Sequence, residues 1–223
     1  MSSRRPGDPS AGETFDQKRG RIMKPIKKLI PPLIVASMAF ALPAALEGAI
    51  KLGFQFSGRQ EVVDKATRAS QEGSLLGFNI GAFGLHGETD FGLEGGLSYT
   101  VRKADQTGSG VNNISDFSVY LGGRYYSNNP TFRLGNIDVR LTFSALGGFS
   151  WLWGGDFSTL PKFSPLLGGG LSFSPSGSPV DIMIEFVYRP VSLDMELEDF
   201  WGTLLATLEI KPSWCICMSL LLW

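Results

Sequence analysis

The sequence predicts an all-β fold: an eight-stranded antiparallel up-and-down transmembrane β-barrel, preceded by a signal peptide. Three observations predict it. A two-residue alternation of apolar and polar side chains returns in eight segments between Ala49 and Trp214, and one face of each segment is free of charge. A strand with lipid on one side and a polar lumen on the other requires that pattern. Charged residues make up only 18% of the 223 residues, against roughly 25% in soluble domains. The 28 glycines are in excess as well, and both deviations suit a barrel whose outer face carries no charge.

The elements follow in chain order. Residues 1–22 are polar and rich in Gly, Ser and charge, the composition of a disordered lead or of a mis-assigned start ahead of Met23. From Met23, Lys24, Lys27 and Lys28 precede an apolar run from Leu29 to Leu42, followed by small residues. Residues 23–45 therefore read as a secretory signal peptide, with cleavage expected between 41 and 49. The run is too short for a spanning helix and Pro31, Pro32 and Pro43 interrupt it. The barrel is expected over 49–214, and residues 215–223 form an apolar tail.

In the first strand Ile50, Leu52, Phe54 and Phe56 oppose Lys51, Gly53, Gln55 and Ser57. The second groups Leu76, Phe78, Ile80 and Ala82; the third sets Phe91, Leu93, Leu97, Tyr99 and Val101 against Glu94, Ser98, Thr100 and Arg102. The fourth opposes Phe117, Val119, Leu121 and Tyr125 to Ser118, Tyr120 and Arg124. The fifth opposes Val139, Leu141, Phe143, Phe149, Trp151 and Trp153 to Asp138, Arg140, Thr142 and Ser144. The sixth is LLGGGLSFS, and the seventh sets Ile182, Ile184, Phe186 and Tyr188 against Glu185 and Arg189. The eighth is expected over 203–211, with Leu204, Ala206, Leu208 and Ile210 against Thr203, Thr207, Glu209 and Lys211.

Alternation does not say which face is outside, and a lipocalin-like soluble barrel would turn the apolar face inward. Volume decides. An eight-stranded barrel interior is just filled by side chains, and the Phe, Trp, Tyr, Leu and Ile of eight strands would overfill it. Starting from a periplasmic N-terminus, the external connections are 58–73, 104–116, 154–164 and 191–199, and the periplasmic ones are 85–90, 127–136 and 175–179. External connections are the longer on average, as in outer-membrane barrels. Phe56, Tyr99, Phe117, Trp151, Trp153 and Tyr188 then fall near the outer interface, and Phe91, Tyr125 and Trp214 near the inner one, forming two aromatic girdles.

On strand number, purity of the lipid face and loop asymmetry, residues 49–214 resemble the small eight-stranded bacterial outer-membrane barrels, the OmpA-like and OmpX-like transmembrane domains. The resemblance implies residence in the bacterial outer membrane and insertion by the barrel-assembly machinery, which reads a final strand ending in an aromatic. Trp214, in register with Leu208 and Ile210, could serve, with Trp223 as the alternative. CICMSLLLW departs from the pattern: either the final strand is shifted or the tail is a sequence artefact. Its Cys215 and Cys217 are too closely spaced for an easy disulfide and lack further metal ligands.

Facing inward, Lys51, Arg102, Arg124, Arg140, Arg189 and Lys211 meet Glu94, Asp138, Glu185 and Glu209. Such charges are tolerated in a narrow lumen when they pair, so they are read as a plug of salt bridges rather than a conduit. The lone histidine, His86 in HGETD, falls in a periplasmic turn, away from the outer leaflet where a lipid-hydrolysing base would act, and no nucleophile elbow, phosphate loop or metal cluster is present. The expectation is therefore a non-enzymatic protein without cofactor. A net charge of −1 with no basic stripe speaks against nucleic acid. The expected role is structural or surface-interacting, with a ligand meeting loops 58–73 and 104–116 and the lipid bilayer around the barrel; a narrow porin for small or apolar solutes is the alternative.

Overall fold

The computed structural model describes residues 48–66, 68, 70–86, 88–103, 113–154, 157–158, 161–198 and 204–223. The expected lead and signal peptide lie outside the described residues, as does most of the connection 104–116. Among the described residues the chain forms thirteen strands. They are β1 (Gly48–Asp64), β2 (Ser70–Leu85), β3 (Phe91–Lys103), β4 (Asn113–Tyr126), β5 (Phe132–Leu134), β6 (Ile137–Gly154) and β7 (Phe157–Ser158). Then come β8 (Lys162–Phe163), β9 (Leu166–Pro175), β10 (Val180–Arg189), β11 (Leu193–Glu198), β12 (Leu204–Ile210) and β13 (Ser213–Leu222).

Eight of them close a ring. β1 pairs β2, β2 pairs β3, β3 pairs β4, and the sheet continues through β6, β9, β10 and β13, which returns to β1. All these pairings are antiparallel and no edge is left within the ring, the condition for a sheet in a medium that cannot hydrogen-bond exposed backbone. The alternating faces divide as volume demands: Phe54 is 68% exposed, Phe91 67% and Phe186 61% on the outside, while Lys51, Glu94, Arg124 and Glu185 are buried inside. An apolar exterior around a polar interior makes this a transmembrane barrel of the bacterial outer-membrane type.

Inward positions include many glycines because neighbouring backbones and side chains occupy the space. A Cβ on Gly96 would lie 2.7 Å from the Tyr120 hydroxyl and one on Gly81 3.2 Å from it, so both glycines make room for that ring inside the barrel.

The last hairpin differs from expectation. Residues 204–210 are not the eighth membrane strand; β13 is, pairing Ile50–Phe56 of β1 with Ile216–Leu222 and Val180–Arg189 of β10 with Ser213–Leu222. The tail expected to be separate therefore closes the barrel. β12 instead continues β13 upward and pairs Val62–Asp64 of β1, while β11 continues β10 and pairs β12. Pro190 and Pro212 stand at the two breaks, where the missing N–H interrupts the ladder. The break at Lys211–Pro212 also reverses the facing. Leu208 and Ile210 point inward, whereas Trp214, two residue pairs on, points to lipid. Carrying one parity through 204–214 fails because an inserted residue flips every later side chain.

Two further expectations change. Trp214 lies opposite Tyr188 at the outer interface, not the inner one. The connection 58–73 is mostly strand: β1 and β2 run on past the membrane to a short turn around Lys65 and Ala66, with a register shift between Ser57 and Gln60. With 17, 16 and 18 residues, β1, β2 and β6 exceed the about 9–11 that cross a bilayer, so their upper ends stand outside it.

Candidate functional site

The lumen is the place where chemistry-bearing side chains converge, and it is organised in levels. At the periplasmic floor Ala49, Phe83, Tyr126, Met183 and Leu221 pack into one buried cluster. The Trp223 ring caps it, its centroid 5.9 Å from that of Phe83 and 5.6 Å from that of Tyr126. Trp223 Nε1 donates to Asp181 Oδ2 at 2.8 Å, and the Tyr126 hydroxyl donates to the same oxygen at 2.5 Å. Below lies an open cavity of about 380 Å³, lined by Asp138, Arg140, Ser174 and Asp181 among others.

Above the floor stands a quartet of two cations and two carboxylates. Lys51 Nζ reaches Glu94 Oε1 at 2.7 Å and Glu185 Oε2 at 3.0 Å. Arg124 spans both carboxylates: its Nη1 and Nη2 donate to Glu185 at 2.6 and 3.1 Å, and its Nε donates to Glu94 Oε2. The same guanidinium donates to the Thr142 hydroxyl and lies 3.3 Å from Met183 Sδ. These four residues come from β1, β3, β4 and β10, so the quartet ties strands across the lumen as well as around it. A bidentate guanidinium is the group that can satisfy two carboxylates in one plane.

The next level holds Asp116 between two guanidiniums. Arg102 Nη2 donates to Asp116 Oδ2 at 2.7 Å and Arg189 Nη2 to the same oxygen at 3.1 Å. Ser118 donates to Asp116 Oδ1 at 2.9 Å and stands 2.7 Å from the Ser150 hydroxyl. Cys215 and Cys217 share the inward face of β13, with sulfurs 3.8 Å apart, and Cys215 Sγ is 3.9 Å from Gln55 Oε1. Between the two ionic levels lies a cavity of about 50 Å³.

At the external end the kinked hairpin packs against the inward faces of the barrel strands. Leu193, Leu208 and Ile210 bury themselves against Val62, Ile114 and Leu152, which come from β1, β4 and β6. Because β4 and β6 stand across the ring from β1, this contact spans the mouth. Outside it, Lys65 Nζ meets Asp194 Oδ1 at 2.8 Å; that carboxylate's hydrogen bond holds the ammonium above its ordinary value.

Of the ten charges expected to share the lumen, six do: Lys51, Glu94, Arg102, Arg124, Glu185 and Arg189. Asp138 and Arg140 face inward but at the periplasmic mouth, where Arg133 Nε meets Asp138 Oδ1 at 2.8 Å and Arg140 Nη1 donates to Ser174. Glu209 and Lys211 lie outside the lumen altogether, on β12 and just after it, paired with each other at 2.9 Å. The hydrogen bond from Lys211 holds the Glu209 carboxyl below its ordinary value. Asp116 was missed because it was assigned to an external connection. Its parity with Ser118, Tyr120 and Arg124 was the signal that could have placed it. His86 is exposed in the β2–β3 turn, its N–H bonded to the Phe91 carbonyl. Among the described residues no group of three or more His, Cys, Asp or Glu could hold a metal.

No protein-family model and no curated protein matches the chain. Among solved structures it is similar to Ail, the attachment invasion locus protein of Yersinia pestis, with 17% identity, 78% of this chain and 97% of that one covered, and a TM-score of 0.37. It is similar also to Neisserial surface protein A, with 13% identity, coverage of 79% and 100%, and a TM-score of 0.40. A second structure of Ail, in complex with the heparin analogue sucrose octasulfate, gives 17% identity, coverage of 79% and 99%, and a TM-score of 0.31. The barrel assignment itself rests on ring closure and on which faces are buried.

Proposed function

We propose that this outer-membrane barrel is a sealed, non-catalytic scaffold whose lumen is plugged by ion pairs and whose external extensions meet a ligand at the cell surface. The observation that carries the reading is the succession of filled levels along the barrel axis. An aromatic floor, two ionic levels and an apolar cap follow one another, and the cavity between the ionic levels has about 50 Å³, room for a few waters, which supports a lumen too narrow for solutes. Among the described residues, the parts that extend past the bilayer include the β1–β2 hairpin, the upper end of β6 and the β11–β12 hairpin; exposed connections on a rigid scaffold are where binding residues concentrate. Insertion by the barrel-assembly machinery would use β13, which Trp223 follows, in place of the strand ending at Trp214.

The test is single-channel conductance of the full chain in a planar bilayer, after the folded barrel is verified by its heat-modifiable shift on gels. A verified barrel that stays silent is the expected result, and shortening the β1–β2 hairpin beyond Ser57 then removes surface binding without unfolding the barrel. Reproducible conductance that changes with Arg124→Gln would replace this reading by that of a narrow porin.

A further inference from the structure

The two ionic levels differ in balance. In the quartet, Lys51 and Arg124 match Glu94 and Glu185 one for one. In the level above, Arg102 and Arg189 share the single carboxylate of Asp116, and both of its oxygens are already engaged. Arg189 is 9% exposed, and its Nε and Nη1 have no hydrogen-bond partner among the described residues. A buried cation persists when it is paired and its donors are met. Two unmet N–H groups on the buried Arg189 guanidinium therefore call for a further acceptor: small, and of opposite sign.

The space is there for it. The cavity of about 50 Å³ has Arg189, Arg102, Gln55, Ser213 and Cys215 in its upper wall, and the Glu94 and Glu185 carboxylates at its other side are already held by Lys51 and Arg124. That volume suits a single small ion with a water, and is too tight for a multi-atom solute. We propose that the upper lumen binds one small monovalent anion, of which chloride is the type, held by Arg189 with Arg102 adding charge. The anion completes the plug: it meets the free donors of Arg189 as Glu94 and Glu185 meet those of Arg124. The inference goes beyond the sealed-scaffold reading, since an enclosed anion and a conducting pore are separable by experiment.

The test uses the full chain refolded in detergent, with sodium bromide titrated against sodium gluconate at constant ionic strength while the heat-modifiable transition is followed. The wild-type midpoint is expected to rise by several degrees and to saturate, and Arg189→Met to stay folded with a flat response. A wild-type midpoint that ignores bromide, or a rise of equal size in Arg189→Met, overturns the proposal. Bromide-soaked wild-type crystals give a second measurement that needs no variant. An anomalous peak beside Arg189 supports the site, and bromide confined to the protein surface refutes it.

Discussion

Replacing Arg124 by methionine removes one of the two cations that touch both carboxylates of the quartet, and the one that grips them with several donors at once. Arg124 is 2% exposed, and Glu94 and Glu185 are fully buried. Without the guanidinium, Lys51 alone faces two carboxylates, and the level carries an uncompensated negative charge. Removing one partner of a buried pair costs roughly 3–5 kcal/mol, so the folded-to-unfolded ratio should fall by about a hundredfold to three-thousandfold at 1.4 kcal/mol per decade. Methionine keeps most of the stem volume beside Met183, so lost packing is a minor part of that figure. The charge argument makes a sharper demand on a second variant. In Glu94→Gln/Arg124→Met the remaining Lys51 and Glu185 balance again, 3.0 Å apart, so the double variant should be more stable than the single. Urea titration of the refolded barrel in detergent, read by the heat-modifiable band, measures both. An Arg124→Met barrel within about 1 kcal/mol of wild type, or a double variant no more stable than the single, would refute the assignment of the quartet as a charge-balanced tie.

Two other variants probe the ring and its cap. A Cβ on Gly170 would lie 2.0 Å from the Ile184 carbonyl oxygen and 2.7 Å from Glu185 Cα, whereas one on Gly123 meets nothing within 4 Å. Gly170→Ala should therefore force β9 from β10 and lower the yield of folded barrel, while Gly123→Ala stays within about 0.5 kcal/mol of wild type, as surface changes usually do; equal refolding yields for the two would contradict the register. Leu208→Ala should cost the cap about 2–5 kcal/mol and speed limited proteolysis between β11 and β12 at least tenfold, leaving the heat-modifiable band intact; unchanged cleavage would mean that the hairpin is held elsewhere.

Seven of the eight membrane strands were legible because period-2 alternation reports facing directly, and lipid purity of the outer face is a constraint that each strand meets independently. The eighth was not, since 204–210 and 213–222 both alternate and only the phase reversal at Lys211–Pro212 separates a cap from a lipid face. Cys215, Cys217 and Leu221 also hid the alternation of β13, their inward side chains being as apolar as the outward ones. For the site, parity was enough to turn Lys51, Glu94, Arg102, Arg124, Glu185 and Arg189 inward, but it carries no information about height along the axis. Height depends on the stagger of the strands, and height decides which charges meet. The six cations and four carboxylates expected in one lumen give an excess of two, spread over no particular place. Sorted by height, Asp138 and Arg140 move to the mouth, Glu209 and Lys211 leave, Asp181 joins the floor and Asp116 enters the upper level, so that among the described residues the two ionic levels hold four cations and three carboxylates. The imbalance belongs to the level where two guanidiniums meet Asp116 and Arg189 has unmet donors, so the arrangement of the plug, and the ion it calls for, follows from the stagger of the barrel more than from its composition.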